Sequence, residues 1–193
     1  MDKKNVYVNI GCGNYGKEGW INFDGCQHNK ITYQWDCKKD IPLEDNAAKG
    51  IFMEHFFEHL DRDTEAIVLI KECYRVLCPG GIIRIIVPDA GKYLMGYNEE
   101  GWDYLIKTRP LINGTIDYYT QKHYQTKMEL VNEIFRQSYE HKYAYDYETL
   151  ELILKDAGFS NVTKQEYGKS IDSIMAIDIE SRKTESLYIE AIK

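Results

Sequence analysis

The sequence predicts an α/β fold, with an open, mostly parallel sheet, flanking helices and a ligand site at one end of the strands. Three observations carry this. Short apolar runs recur along the first half of the chain. The first run ends in Gly11-Cys-Gly13, and the next two end in Asp24 and Asp36. A strongly periodic helix then precedes a Pro-Gly-Gly element and the most apolar run of all.

The runs are Val6–Ile10, Trp20–Asp24, Ile31–Asp36, Lys49–Met53 and Ile82–Val87, the last closed by Pro88 and Asp89. Near-continuous apolar runs of this length suit parallel strands buried on both faces. Between the fourth and fifth runs, Ala66, Ile67, Ile70, Cys73, Tyr74 and Leu77 recur at helical spacing. Asp61 and Asp63 put acids at the start of that helix, where its free N–H groups favour them, and Pro79-Gly80-Gly81 stops it. A second helix runs from a cap at Asp146 through Leu150, Ile153, Leu154 and Ala157 to Gly158. Two further β-type stretches, 160–166 and 187–192, close the chain.

Residues 91–145 differ in character, being rich in tyrosine and without a β-type run. Thr126-Lys-Met-Glu129 is a capping box opening a helix that turns Met128, Val131, Ile134 and Phe135 inward. With no linker, repeat or low-complexity tract, the expectation is a single domain over 1–193. Residues 91–145 are expected to form a partly helical insertion that covers one side of the ligand cleft.

Composition narrows the function. The 193 residues carry a formal net charge of −7, which argues against broad nucleic-acid binding through lysine and arginine. No window approaches the roughly 20 apolar residues of a membrane span, and the N-terminus lacks a secretory pattern. The expected location is the cytoplasm, with no membrane partner. Five cysteines (Cys12, Cys26, Cys37, Cys73 and Cys78) form no C-x-x-C pair and read as reduced thiols, so no metal ligand is assigned.

Open α/β sheets bind ligands beyond the carboxyl ends of their strands, where the strand order reverses. Gly11 and Gly13 let a ligand approach the backbone where a Cβ would block it. Asp24 offers two acceptor oxygens to a ribose diol, and Asp36 an acceptor to an adenine amino group.

The run Asn9-Ile-Gly-Cys-Gly13, Gly19-Trp-Ile-Asn-Phe-Asp24, Trp35-Asp36, Ile41-Pro-Leu-Glu-Asp-Asn46, Glu54-His-Phe-Phe-Glu-His-Leu60, Arg75-Val-Leu-Cys-Pro-Gly-Gly81 and Arg84-Ile-Ile-Val-Pro-Asp89 resembles class I S-adenosylmethionine (SAM)-dependent methyltransferases. Within these it is most similar to the small type 11 group associated with glycan biosynthesis. The likeness resumes at 141–159 and 185–191. It implies a Rossmann-like fold whose seven-stranded, mostly parallel sheet has one antiparallel edge strand in a terminal hairpin. It further implies that Gly11, Cys12 and Gly13 line the methionine part of SAM, that Asp24 holds the ribose, and that Asp36 and the Cys37 backbone hold the adenine. The segment opening at Glu54 would run beneath the sulfonium. Two departures stand out: only ten residues separate Gly13 from Asp24, so the first crossover must be irregular, and Cys78 replaces the family's usual lysine.

For a hydroxyl acceptor a general base is needed, and the candidates in order are His59, His141 and His55. Tyr93, Tyr97, Trp102, Tyr118 and Tyr119 are candidates for lining the pocket of a small-molecule or sugar-type acceptor. Two other functions compete. One is a binding or scaffold protein that keeps the fold without catalysis. The other is a zinc metallopeptidase, because His55-Phe-Phe-Glu58-His59 spells H-x-x-E-H, with both histidines on one helical face. The oligomeric state is not legible.

Overall fold

The computed structural model describes residues 4–29, 32–118 and 120–193. In chain order the main elements are β1 (Val6–Ile10), β2 (Ile21–Asp24), β3 (Thr32–Gln34), β4 (Ala48–Glu54), α1 (Ile67–Val76), β5 (Leu77–Pro88), α2 (Ala90–Asn98) and α3 (Asp103–Thr108). They continue as β6 (Leu111–Ile112), β7 (Ile116–Asp117), α4 (Lys127–Arg136), α5 (Tyr147–Asp156), β8 (Ser160–Gln165) and β9 (Ser186–Ile192). Each expected strand is present, though the third is short; Ile31 lies outside the described residues.

Seven strands form one sheet in the order β3-β2-β1-β4-β5-β9-β8. The first five pair in parallel, and β9 runs antiparallel to both of its neighbours. The chain steps outward from β1 to β3, then returns to β4 on the other side of β1. The order therefore reverses at β1, where such sheets open a cleft. Register decides what lines it. Ile10 pairs with Phe23 on one side and Met53 on the other, so Gly11, Asp24 and Glu54 leave their strands at one level.

The two faces are covered differently. On one, α1 and α5 pack Leu69, Ile70, Cys73, Leu150 and Leu154 against Ile51, Ile83, Ile85 and Ile189 in the main core. Burying one such side chain contributes roughly 1.5–3 kcal/mol. On the other, Phe52, Ile82, Ile86 and Tyr188 meet Trp20, Met175 and Ile177, which come from loops. The short first crossover is indeed irregular. It is folded by the buried Asn22 side chain, which accepts from the Lys17 amide (2.8 Å) and donates to the Lys17 carbonyl (2.9 Å).

The helix caps follow the sequence. Asp61 caps a wide turn leading into α1, Thr126 and Glu129 complete the capping box of α4, and Asp146 caps α5. Three expectations need correction. α1 ends at Val76, ahead of Pro79-Gly80-Gly81, which is drawn into the long strand β5. Residues 91–145 contain the small hairpin β6–β7, whose two-residue strands are too short to leave a period-2 pattern. Met128 is exposed, since it lies in the first turn of α4, off the face that buries Leu130, Val131 and Ile134. That face joins Tyr93, Leu105 and Tyr124 in a small core within this segment.

No helix among the described residues is long and apolar enough to cross a membrane.

Candidate functional site

Three cavities meet along the carboxyl ends of β1, β2 and β4. The first, about 440 Å³, is lined by Gly11, Asp24, Trp35, Asp36, Cys37 and Phe56. The second, about 270 Å³, is lined by Gly11, Cys12, Gly13, Tyr15, Glu54, His55, Ile179 and Arg182 among others. Gly11 borders both. The third, about 480 Å³, shares Tyr15, His55 and Arg182 with the second and reaches Arg109, Lys122, Glu133, Glu140 and Glu185. All seven residues expected at the cofactor, from Gly11 to Glu54, thus line the first two cavities.

The two glycines are needed for different reasons. Gly11 has φ +67°, and a Cβ there would lie 2.2 Å from the Phe56 ring. What it would block is a packed side chain of the protein. Gly13 has φ +48° with nothing within 4 Å, so only its backbone conformation demands glycine.

The Asp24 carboxylate already organises the loops. One oxygen accepts from the Gly13 amide (2.8 Å), the other from the Cys26 amide (3.0 Å) and the His28 ring (3.1 Å). A carboxylate has about four acceptor positions, so one remains. Asp36 accepts from the Lys38 amide at 3.0 Å, which shapes the turn carrying Cys37. Burial pushes the Cys12 and Cys37 thiols up.

Glu54 is nearly buried and accepts from the Ile179 amide at 3.1 and 3.2 Å. Desolvation raises its carboxyl to about 7, partly opposed by that hydrogen bond. Ile179 and Arg182 belong to the loop between β8 and β9, whose place at this site no motif in the sequence marks. Its anchor is buried: Arg84 on β5 is bound to Asp178 of that loop and to Glu190 of β9, all with fully buried side chains. An arginine within Ile82–Val87, with a distant acid on β9, was the available signal.

The three histidines surround Glu58. His55 follows β4 directly with φ +50°, an uncommon conformation for a non-glycine residue. Its Nε2 is 2.8 Å from Ser186 Oγ, and its Nδ1 is 3.8 Å from Glu58 Oε1. Desolvation holds its imidazole well below the ordinary value. His59 and His141 pack edge to face at 4.8 Å. Their Nδ1 atoms lie 3.2 Å from the Glu140 carbonyl and 2.6 Å from the Ile134 carbonyl. Burial depresses both, His141 to about 4. Of the three, only His55 lines the second and third cavities.

The H-x-x-E-H reading as a peptidase helix does not survive. Phe57–His59 is a single 3₁₀ turn after a positive-φ residue, so His55 and His59 are not one helical turn apart on a common face. The aromatic lining also needs correction. Tyr93 is buried with its hydroxyl donating to Glu185 (2.9 Å), and Tyr97, Trp102 and Tyr118 do not line the third cavity. Tyr119 lies outside the described residues. Half of the residues found there are charged, among them Arg109, which is held by Asp117 and Glu185 and ties the 91–145 segment to the chain before β9.

A methyltransferase-domain family model matches residues 22–85, from β2 into β5. No curated protein matches the sequence. Among solved structures, a SAM-dependent methyltransferase from Thermotoga maritima, described as a possible histamine N-methyltransferase, is 15% identical with a TM-score of 0.60, over 100% of this chain and 84% of its own. A SAM-dependent methyltransferase from Archaeoglobus fulgidus is 21% identical with a TM-score of 0.60, over 98% and 86%. A putative Haloferax volcanii methyltransferase, solved with the Trm112 methyltransferase activator, is 12% identical with a TM-score of 0.54, over 100% and 84%. At these identities the likeness is one of fold. The matched segment is about a third of the chain, and it lies within a Rossmann-like fold similar to that of the class I SAM-dependent methyltransferases.

Proposed function

We propose that this protein is a SAM-dependent methyltransferase that methylates a polar, sugar-type small molecule bound in the third cavity, with His55 beside the transferred group. The observation that carries this reading is the continuity of the three cavities. A nucleoside-sized space at Asp24 and Asp36 leads past Gly11 and Glu54 to His55, and from there into a chamber lined by Arg109, Lys122, Arg182, Glu133, Glu140 and Glu185.

Gly11, Cys12 and Gly13 would hold the methionine end of SAM, Asp24 the ribose, and Asp36 with Cys37 the adenine. Glu54 would face the positive sulfonium. SAM held there would supply an electrophilic methyl carbon, with the electrons of the broken carbon–sulfur bond left on sulfur. The protein's part is then to hold an acceptor oxygen in line about 3 Å from that carbon and to exclude water. His55 would take the hydroxyl proton, steered by Ser186 Oγ. His59 and His141, ranked above His55 on sequence alone, sit behind it with their Nδ1 atoms on carbonyls.

The chamber's mixed charges suit hydroxyl- and phosphate-bearing sugars, which favours a role in glycan biosynthesis. The segment 91–145 would act as its cover, through Arg109, Lys122 and Glu133. Unpaired cysteines fit the reducing cytoplasm.

The test is calorimetric titration with SAM and S-adenosylhomocysteine, followed by a methyl-transfer screen against sugars, sugar phosphates and nucleotide sugars, with amines as the contrast set. Saturable binding with turnover on a sugar class, reduced about 10²–10⁴-fold in His55→Ala with SAM affinity retained, supports the reading. Turnover confined to amines, or unchanged in His55→Ala, overturns the acceptor class or the role of His55 respectively.

A further inference from the structure

Glu58, His59 and His141 form a cluster that the proposed methyl transfer does not use. Glu58 is fully enclosed, and neither of its carboxylate oxygens has a hydrogen-bond partner among the described residues. An unsatisfied buried carboxylate is expensive, commonly by several kcal/mol, unless something unseen completes it. Its Oε1 lies 3.8 Å from His141 Nε2. One ligand atom from each of Glu58, His59 and His141 lies within 4.8 Å of the others.

The histidine tautomers point the same way. His141 Nδ1 is 2.6 Å from the Ile134 carbonyl and His59 Nδ1 is 3.2 Å from the Glu140 carbonyl. A carbonyl oxygen only accepts, so both Nδ1 atoms carry the hydrogen and both Nε2 atoms present a lone pair. Metal-ligating histidines are oriented in this manner, with the far ring nitrogen donating to a carbonyl or carboxylate. The backbone frame is also set, since the Glu58 carbonyl accepts from the Lys142 (2.8 Å) and Tyr143 (3.3 Å) amides. A cavity of about 10 Å³, bordered by Glu58 and His141, adjoins the cluster.

We propose that Glu58, His59 and His141 bind one divalent transition-metal ion, with zinc fitting the donor set best. Two neutral imidazoles and a carboxylate are a known zinc set, leaving a fourth position for water. Ligands at about 2.1 Å from a tetrahedral ion lie about 3.4 Å apart, so closing the cluster takes side-chain movements on the order of 1 Å. These ligands differ from the His55/His59 pair of the peptidase pattern, and the ion would be structural. It would fasten the turn after β4 to the strap between α4 and α5, and so hold the 91–145 segment beside the chamber.

The experiment uses tag-free full-length protein, exchanged with Zn²⁺ or Co²⁺ and desalted. The readouts are elemental analysis, competition with a chromophoric chelator, and the visible spectrum of the Co²⁺ form. The expected result is about one ion per chain with micromolar or tighter affinity, ligand-field bands for Co²⁺, and a higher melting temperature that chelator reverses. His59→Ala, at the half-exposed ligand, should weaken binding more than about 100-fold, since loss of even an outer partner costs 10–100-fold. Glu58→Gln and His141→Ala should do likewise, whereas His123→Ala, at an exposed histidine elsewhere, should not. Should Glu58→Gln fail to fold, His59→Ala and the Co²⁺ spectrum decide. Absent or only millimolar binding by folded wild type, or equal affinity in the His59→Ala/His141→Ala double variant, overturns the proposal. None of these readouts depends on SAM binding or turnover.

Discussion

Arg84 on β5 grips Asp178 of the β8–β9 loop through two charge-assisted hydrogen bonds, Nε to Oδ1 at 2.9 Å and Nη2 to Oδ2 at 2.6 Å, with both side chains fully buried. The remaining guanidinium nitrogen reaches Glu190 at 2.8 Å. The two acids also receive loop amides, Gly168 on Asp178 and Ile171 on Glu190, both at 2.8 Å. This network fixes the loop that brings Ile179 and Arg182 to the second cavity.

Removing the cation strands two buried carboxylates, so Arg84→Ala should lower stability by about 3–5 kcal/mol. Urea denaturation measures it. SAM affinity should fall as well, because the loop loses its anchor. A loss below about 1 kcal/mol would mean that water reaches the acids and that the network is not sealed.

Asp24→Ala should abolish calorimetrically detectable SAM binding. It removes the proposed ribose acceptor and the group that holds the Gly13 amide. Circular dichroism should stay native, since Asp24 closes β2 at the sheet's end and is not in the core. Wild-type affinity in this variant would displace the nucleoside from the first cavity.

Glu54 gives a pH signature. Its carboxyl titrates at about 7 in the fold against 4.5 ordinarily, chiefly through desolvation. The folded state therefore holds the proton longer. Its contribution to stability is fully present below about pH 4.5 and is lost as pH rises toward 7. For binding the sign is opposite, because ionised Glu54 attracts a sulfonium. The affinity of SAM relative to S-adenosylhomocysteine, which lacks that charge, should rise between pH 6 and 8. Glu54→Gln should flatten the ratio; a flat ratio in wild type would move the sulfonium away from Glu54.

Gly11→Ala and Gly13→Ala should separate. The first puts a Cβ 2.2 Å from the Phe56 ring at φ +67° and should destabilise by about 2–4 kcal/mol, combining overpacking and backbone strain. The second meets nothing within 4 Å and should cost about 1 kcal/mol, from its φ of +48° alone. Thermal melts distinguish them, and equal losses would contradict the Phe56 contact.

Much of this was written locally. The strands and caps follow from apolar runs and from Asp61, Thr126, Glu129 and Asp146, whose hydrogen bonds span three or four residues. Gly11, Gly13, Asp24 and Asp36 could be picked out because each lies at or within three residues of a strand's carboxyl end, and Glu54, the last residue of β4, through the family resemblance. The chamber could not be read in this way. Tyr93 resembled a lining residue and is core, while Arg109, Lys122 and Glu133 line the chamber without any spacing that marks them.

The sequence by itself determined the α/β class, the seven strands of the sheet and the helices α1, α4 and α5. Those depend on periodicity and on contacts between near neighbours. Only the tertiary structure decided that the β8–β9 loop completes the second cavity, that His55 rather than His59 faces it, and that Glu58 meets His141 across 82 intervening residues. Such pairings are fixed by how distant segments pack over the sheet, and a buried charge leaves no periodic trace of the partner it will meet.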